Sequence, residues 1–156
     1  MSKSLRRVET ALREAGVRVE LREFDASTRT AADAAAAVGC DVDQIAKSII
    51  FRGEDSGHVV LFLTAGGNRV SDAKASSVAG QPLGKADADL IRAETGFAIG
   101  GVAPVGHLTQ VRAFLDPRLM EFPEVWAAAG TPRHVFAISP ADLHRMTGAE
   151  IADFTA

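Results

Sequence analysis

The sequence has few of the residues from which disulfide frameworks, metal sites and membrane anchors are built. Its single cysteine, Cys40, cannot form an internal disulfide. No C-x-x-C or H-E-x-x-H motif is present, and the four histidines do not share a helix face, so neither a metal nor another cofactor is expected. No apolar run approaches the ~20 residues that span a bilayer, and the first residues lack the apolar centre of a signal peptide. We therefore expect a cytoplasmic protein that does not contact membranes.

The chain also lacks an excess of positive charge. It has 17 basic and 20 acidic residues, for a net charge of −3. Non-specific affinity for nucleic-acid phosphates depends on accumulated Lys and Arg, so a general DNA-binding or RNA-coating protein is not expected. A protein that meets the end of an RNA through a local basic patch remains compatible with this charge.

Apolar periodicity and capping residues predict five short helices and five or six strands in an irregular order. The predicted helices cover residues 3–15, 27–39, 71–80 and 86–96 and a last one that begins at Ser139. The predicted strands cover residues 17–24, 47–53, 58–67, 110–116 and 133–139. Asp41 and Gln44 form a capping-box pattern for a further short turn of helix. Because strands and helices do not alternate cleanly, we predict an α+β fold, with residues 1–156 forming a single domain around a central mixed, barrel-like β-sheet flanked by short helices.

Three features are candidates for a functional site. Lys47 stands at the start of an apolar strand, where its ammonium either extends to solvent or lies at the mouth of a pocket. The stretch from Gly96 to His107 is either a tightly packed turn or a backbone cradle whose N–H groups bind a developing oxyanion. His107 itself is either an acid–base group or the cap of that loop. The small residues of Ala127–His134 suit a ligand pocket and close packing equally well.

In order and spacing, four segments resemble the YbaK/prolyl-tRNA synthetase-associated family, the free-standing relatives of the editing domain inserted in bacterial prolyl-tRNA synthetases. These segments are "VELREFDASTRTAADAA", "VGCDVDQIAKSIIFR", "TGFAIGGVAPVGH" and "AAGTPRHVFAISPADL". The resemblance implies an aminoacyl-tRNA deacylase that acts on the 3′ end of mischarged tRNA, most often tRNA(Pro), with prolyl-tRNA synthetase as a candidate partner. The family's lysine falls on Lys47, its glycine-rich loop on Gly100, Gly101, Pro104 and Gly106, its histidine on His107, and the loop that closes the pocket on Ala129 and Gly130.

The resemblance also implies a chemistry without a metal or a covalent nucleophile. Backbone groups around Gly100 and Gly101 would hold the aminoacyl carbonyl, a hydroxyl of the terminal adenosine would position or activate water, and Lys47 would anchor the terminal phosphate or ribose. Where some branches carry a serine in an S-x-G segment, this chain has Ala128. That departure weakens the expectation of cysteine as the substrate and favours alanine, 2-aminobutyrate, serine or threonine.

Two other functions fit the same residues. One is a non-catalytic module that binds aminoacyl-tRNA or a nucleotide, and the other is a hydrolase for a different small ester or amide. If the substrate is tRNA, we expect a basic rim around the pocket formed by Arg29, Lys47, Arg52, Arg69 and Lys74.

Overall fold

A computed structural model describes residues 2–25 and 30–156 of the chain. Within these ranges it contains five α-helices, which are α1 (Lys3–Glu14), α2 (Ala31–Val38), α3 (Asp72–Ala79), α4 (Ala88–Thr95) and α5 (Pro140–Thr147). The same residues form eight strands, which are β1 (Glu20–Glu23), β2 (Ile45–Gly53), β3 (Val59–Ala65), β4 (Leu83–Lys85), β5 (Arg112–Leu115), β6 (Val125–Ala128), β7 (His134–Ile138) and β8 (Glu150–Ile151). Two 3₁₀ turns, Val42–Gln44 and Pro117–Glu121, complete the described elements.

The helices begin and end where side-chain caps and glycines predict. Each one starts after a residue whose side-chain oxygen accepts a backbone N–H of the first turn, namely Ser2, Thr30, Ser71, Asp87 and Ser139. Four of them end at a glycine in the left-handed conformation. The capping box of Asp41 and Gln44 is also present. Residues 27–29 of the second predicted helix lie outside the described residues, and α2 itself begins at Ala31.

The strands form one mixed sheet in the order β1-β7-β6-β2-β3-β5-β8, and β4 pairs with β2 as well. The pairs β2–β6, β3–β5 and β5–β8 are parallel, and the remaining pairs are antiparallel. The predicted α+β fold with a central mixed sheet and short flanking helices is therefore confirmed. In the described residues the outermost strands β1 and β8 do not pair with each other, so the sheet does not close into a barrel.

The expected number of five or six strands is too low, because β4, β6 and β8 were not predicted. They are three, four and two residues long, and their pairing with longer neighbours holds them in place. The first strand is also shorter than expected, since only Glu20–Glu23 of residues 17–24 pair with β7.

Both faces of the sheet are covered. The larger cluster of buried residues packs the apolar side of α1, with Val8 and Leu12, against residues such as Phe97 and Phe136. On the opposite face Phe62 stacks on Phe114, with ring centroids 5.1 Å apart. No helix among the described residues is long and apolar enough to cross a membrane.

Candidate functional site

A cavity of about 490 Å³ lies beside β2. This volume falls within the range of about 300–1,000 Å³ that is typical of small-ligand sites. Most of its lining is apolar and comes from β2, α2, β6 and the segments around β7. The ionisable groups in the lining are Lys47, Lys85 and His134. Such a cavity suits a ligand that has an apolar part and an anionic group.

Lys47 contributes to the lining of this cavity, and the role of its ammonium there stays a prediction. Its Nζ donates a hydrogen bond of 2.7 Å to the backbone carbonyl of Asn68. Burial is the main cause that lowers the pKa of Lys47, and the nearby charge of Arg69 lowers it further, while Asp116 and Asp43 act in the opposite direction. An ammonium has three N–H donors, so the bond to Asn68 leaves donors that can reach a ligand oxygen.

The loop that follows β3 contains Asn68, the hydrogen-bond partner of Lys47, and the contacts of this loop hold Asn68 in position. The carboxylate of Asp116 is buried and accepts hydrogen bonds from the backbone N–H of Ala65 (3.0 Å) and from Nδ2 of Asn68 (2.9 Å). A Cβ on Gly66 would overlap the backbone carbonyl oxygen of Val42, so only glycine allows this close approach. The sequence signal for this support is "AGGN" directly after an apolar strand, and sequence reasoning missed it.

The glycine-rich stretch forms one wall of the cavity. Gly100 lines the cavity and has φ +92°, a conformation that favours glycine. A Cβ on Gly101 would lie 2.8 Å from Cα of Thr131, so this glycine lets the stretch pack against the loop after β6. The N–H of Gly101 donates to the carbonyl of Ala98 at 3.1 Å and thereby closes a turn. Among the described residues the N–H of Gly100 has no such partner, so Gly100 is the better candidate to bind a carbonyl oxygen.

The rest of that stretch lies against α1 and lines a different surface. Pro104, Gly106 and His107 border a second depression next to Ala11 and Gly148 and are not in the lining of the Lys47 cavity. Lys47 and Gly100 therefore line the same cavity, and these three residues do not. Their assignment to the site stays a prediction.

His107 holds the end of the glycine-rich stretch. Its Nε2 lies 2.7 Å from the carbonyl oxygen of Ala103, and its ring packs edge-on against Phe97 with centroids 6.0 Å apart. Burial is the main cause that lowers the pKa of His107, Arg7 lowers it further, and the hydrogen bond to Ala103 opposes both. These contacts favour the interpretation of His107 as a loop cap.

We predict that His107 makes the folded protein less stable at mildly acidic pH. The unfolded chain binds a proton at His107 near the ordinary pKa of 6.5, whereas the folded chain binds it only at a lower pH. The free energy of unfolding should therefore decrease as the pH falls below about 6.5, by at most about 1.4 kcal/mol for each pH unit. Urea unfolding of His107→Gln at several pH values should show a smaller decrease, with the exposed His58→Gln as the control. An identical pH dependence in His107→Gln and the wild type would contradict this assignment.

Ala129 and Gly130 also lie behind the cavity wall. Ala129 is fully buried, and a Cβ on Gly130 would lie 2.8 Å from the carbonyl oxygen of Ser4 in α1. The residues of this loop that line the cavity are Ala128, Thr131 and Pro132. The substrate-binding role of Ala129 and Gly130 stays a prediction, and their contacts favour support of the wall.

A hydroxyl, an imidazole and a carboxylate follow one another at the edge of the cavity. Oγ1 of Thr131 lies 2.6 Å from Nδ1 of His134, and Nε2 of His134 lies 3.6 Å from the carboxylate of Glu23 on β1. Thr131 and His134 both line the cavity. The imidazole and the backbone N–H of Arg133, which donates to Oγ1 at 3.1 Å, hold the Thr131 hydroxyl in place. Sequence reasoning noted the loop for its small residues and did not single out its threonine or histidine.

The expected basic rim is only partly assembled. Arg69 is close enough to Lys47 to lower its pKa, and Lys85, which was not predicted, lines the cavity. Arg52 instead pairs with Glu54 at 3.2 Å, and Lys74 pairs with Asp153 at 3.2 Å. Arg29 lies outside the described residues. The rim as a whole stays a prediction. Within the described ranges, no three His, Cys, Asp or Glu side chains are grouped so that they could hold a metal ion.

Comparison with known proteins identifies a family and a relative. The family described as an aminoacyl-tRNA editing domain matches residues 25–146. The uncharacterized protein YwhH of Bacillus subtilis (strain 168) is 28% identical over 148 residues, which is 95% of this chain and 94% of YwhH.

Two solved structures are more similar in sequence. A protein proposed to be a trans-editing enzyme for prolyl-tRNA synthetase is 49% identical, with a TM-score of 0.92 over 100% of this chain and 99% of that one. A structure from work on grafting linear epitopes onto scaffold proteins is 48% identical, with a TM-score of 0.93 over the same shares of the two chains.

Proposed function

The chain belongs to the aminoacyl-tRNA editing domain family, and on this premise we propose that residues 1–156 act as one trans-editing domain that hydrolyses mischarged aminoacyl-tRNA. The proposed substrate is tRNA(Pro) that carries a small wrong amino acid, namely alanine, 2-aminobutyrate, serine, threonine or cysteine. Mischarged tRNA(Pro) made by prolyl-tRNA synthetase would then be hydrolysed in the cytoplasm, either after its release or while it is still bound to that synthetase.

The observation that carries this proposal is the position of the Lys47 ammonium. Lys47 contributes to the lining of a mostly apolar cavity that Gly100 also lines, and the ammonium is tethered to the carbonyl oxygen of Asn68. The terminal nucleotide of a tRNA offers a phosphate or ribose oxygen to such an ammonium, and its acyl group offers a carbonyl to the backbone. A half-buried ammonium has lost part of its hydration, so it binds an anionic oxygen more strongly than one in water does.

The residues that face the cavity suggest how the ester is hydrolysed. Lys47 would hold the terminal phosphate or ribose, and the N–H of Gly100 would donate to the carbonyl oxygen as negative charge develops on it. A hydroxyl of the terminal adenosine would hold the attacking water. The water oxygen bonds to the acyl carbon, the ester C–O bond breaks, and the ribose oxygen leaves with a proton, so the products are a free amino acid and an uncharged tRNA. Gly101 shapes the turn that presents Gly100.

The acyl group would lie among the small side chains of the lining, which include Ala34, Ala46, Ala127 and Ala128. One methylene in such a pocket changes binding by about 1–3 kcal/mol, so large side chains are excluded better than small ones are told apart. Ala128 lacks the hydroxyl that a serine would supply, so we expect cysteine to be a poorer substrate than alanine.

A deacylation panel tests the proposed function. We expect the protein to release alanine, 2-aminobutyrate, serine or threonine from tRNA(Pro) and to leave prolyl-tRNA(Pro) intact. The loss of acid-precipitable labelled amino acid would be followed over time, with protein-free tRNA as the control for spontaneous hydrolysis. No release from any tRNA in the panel would favour a binding module, and equal activity on a free aminoacyl ester would favour a general small-ester hydrolase.

A further inference from the structure

The sheet is interrupted along one side of β2. On one side β2 pairs with β3 continuously over residues 46–52. On the other side it pairs with β6 only at Ile45 and Ala46, and with β4 only over Phe51–Gly53. Residues 47–50 therefore have no strand partner on that side among the described residues. We call this interval the β2 gap.

Strand alternation identifies the backbone groups that face the β2 gap. The N–H of Gly53 donates to His58 on the β3 side, whereas the N–H of Glu54 donates to Pro82 on the β4 side. Along an antiparallel strand these directions alternate with each residue. The N–H and C=O of Ser48 and the N–H of Ile50 therefore point into the gap, while the C=O of Ile50 lies where the β4 ladder begins.

The β2 gap opens into the Lys47 cavity. Side chains from both faces of β2, including Ile49 and Ile50, line this one cavity. Ile50 packs with the cluster on one face of the sheet and Ile49 with the cluster on the other. A single cavity reaches both faces only where the strand edge is open. In addition, Oγ of Ser48 is buried at this position and has no hydrogen-bond partner among the described residues.

The buried hydroxyl of Ser48 and the open strand edge beside it call for a polar ligand. A buried backbone or hydroxyl group without a partner costs about 1–3 kcal/mol, so native proteins satisfy nearly all of them. Here an acceptor, the C=O of Ser48, and a donor, the N–H of Ile50, lie two residues apart on one edge. Their ligand should present a donor beside an acceptor on a flat edge and have apolar faces that suit the surrounding walls.

We propose that the β2 gap binds the Watson–Crick edge of the terminal adenine of the acylated RNA. The 6-amino group of adenine donates to the C=O of Ser48, and its N1 accepts from the N–H of Ile50. This inference rests on the proposed function, because the ester is carried by the terminal adenosine. It adds a base-reading subsite to the cavity that holds the ester. The apolar side chains on the two sides of the gap, together with Trp126 in the lining, enclose the faces of the base.

The test exchanges atoms of the base and leaves the protein unchanged. Short RNAs that end in adenosine, purine riboside, inosine or 7-deazaadenosine would be aminoacylated at the 3′ end with the best amino acid of the panel, and kcat/KM would be measured with wild-type protein. Purine riboside lacks the 6-amino donor, so we expect a loss of about 3- to 10-fold. Inosine reverses both the donor and the acceptor, so its loss should be at least about 10-fold. 7-Deazaadenosine keeps the Watson–Crick edge and should react like adenosine.

The outcomes separate this inference from the proposed function. Equal rates with all four ends would overturn adenine reading while leaving the deacylase intact, and would favour an extended peptide as the occupant of the strand edge. If the deacylation panel shows no hydrolysis, the proposed function fails, and binding of the unacylated RNAs by calorimetry then decides the inference alone. Tighter binding of the adenosine end than of the inosine end supports it, and no preference overturns it.

Discussion

Replacement of Lys47 by alanine is expected to reduce kcat/KM for deacylation by about 10- to 100-fold, since a hydrogen bond to a charged group contributes about 1.5–3 kcal/mol. Lys47 is half-buried and contributes to the lining of the cavity, and the carbonyl of Asn68 holds its ammonium at 2.7 Å. We expect KM to rise and kcat to fall, because the anchored phosphate or ribose also sets the position of the ester. Single-turnover deacylation over a range of protein concentrations would separate the two effects.

Three further variants test whether the effect of Lys47→Ala comes from loss of the ammonium charge. Lys47→Met keeps the length of the side chain and loses its charge, so it should be as inactive as Lys47→Ala. Lys47→Arg keeps the charge but fits the Asn68 carbonyl poorly and should retain an intermediate activity. Lys74→Ala removes an exposed lysine that pairs with Asp153 and serves as the matched control. Full activity in Lys47→Met would show that the ammonium does not take part in the reaction.

The elements that could be predicted from the sequence are those with local signals. The last helix begins where Ser139, Pro140 and Asp142 supply a cap, a compatible first residue and a favourable acid. The two long strands of the central hairpin, β2 and β3, consist of apolar runs on either side of a glycine-containing turn. In each case residues that are neighbours in the sequence determine the local conformation, so the sequence pattern alone predicts the element.

The elements that could not be predicted depend on distant partners. The short strands β4 and β6 have weak local preferences, and pairing with β2 determines them. The distance between them along β2 then creates the gap, which no local pattern in "KSIIF" indicates. The partner of Lys47, Asn68, lies 21 residues further along the chain and is placed by the buried carboxylate of Asp116.

The orientation of residues in the glycine-rich stretch could not be predicted from the sequence either, because it also depends on distant partners. Its composition correctly indicated close backbone approaches, but spacing alone could not tell which side each residue faces. Gly100 faces the cavity, Gly101 packs on Thr131, and Gly106 lies against the backbone of Arg7 in α1. The stretch therefore joins two surfaces, and a change on its α1 side reaches the cavity only through the backbone.

Gly130→Ala is expected to lower the free energy of unfolding by about 3 kcal/mol. Gly130 has φ +96°, a conformation that alanine adopts only with strain. Its new Cβ would also lie 2.8 Å from the carbonyl oxygen of Ser4 and 3.1 Å from the Phe97 ring, so α1 would have to move away from the cavity wall. Urea unfolding followed by circular dichroism would measure the change.

Gly148→Ala is the matched control for Gly130→Ala, because it isolates backbone strain from the clash. Gly148 also has a positive φ, +62°, but no atom lies within 4 Å of its Cβ position. Its replacement should cost about 1–2 kcal/mol from strain alone. Equal losses in the two variants would show that the contact with α1 is unimportant. A Gly130→Ala protein that keeps its stability and loses deacylation would instead place Gly130 in contact with the substrate, because disruption of the wall predicts that stability is lost first.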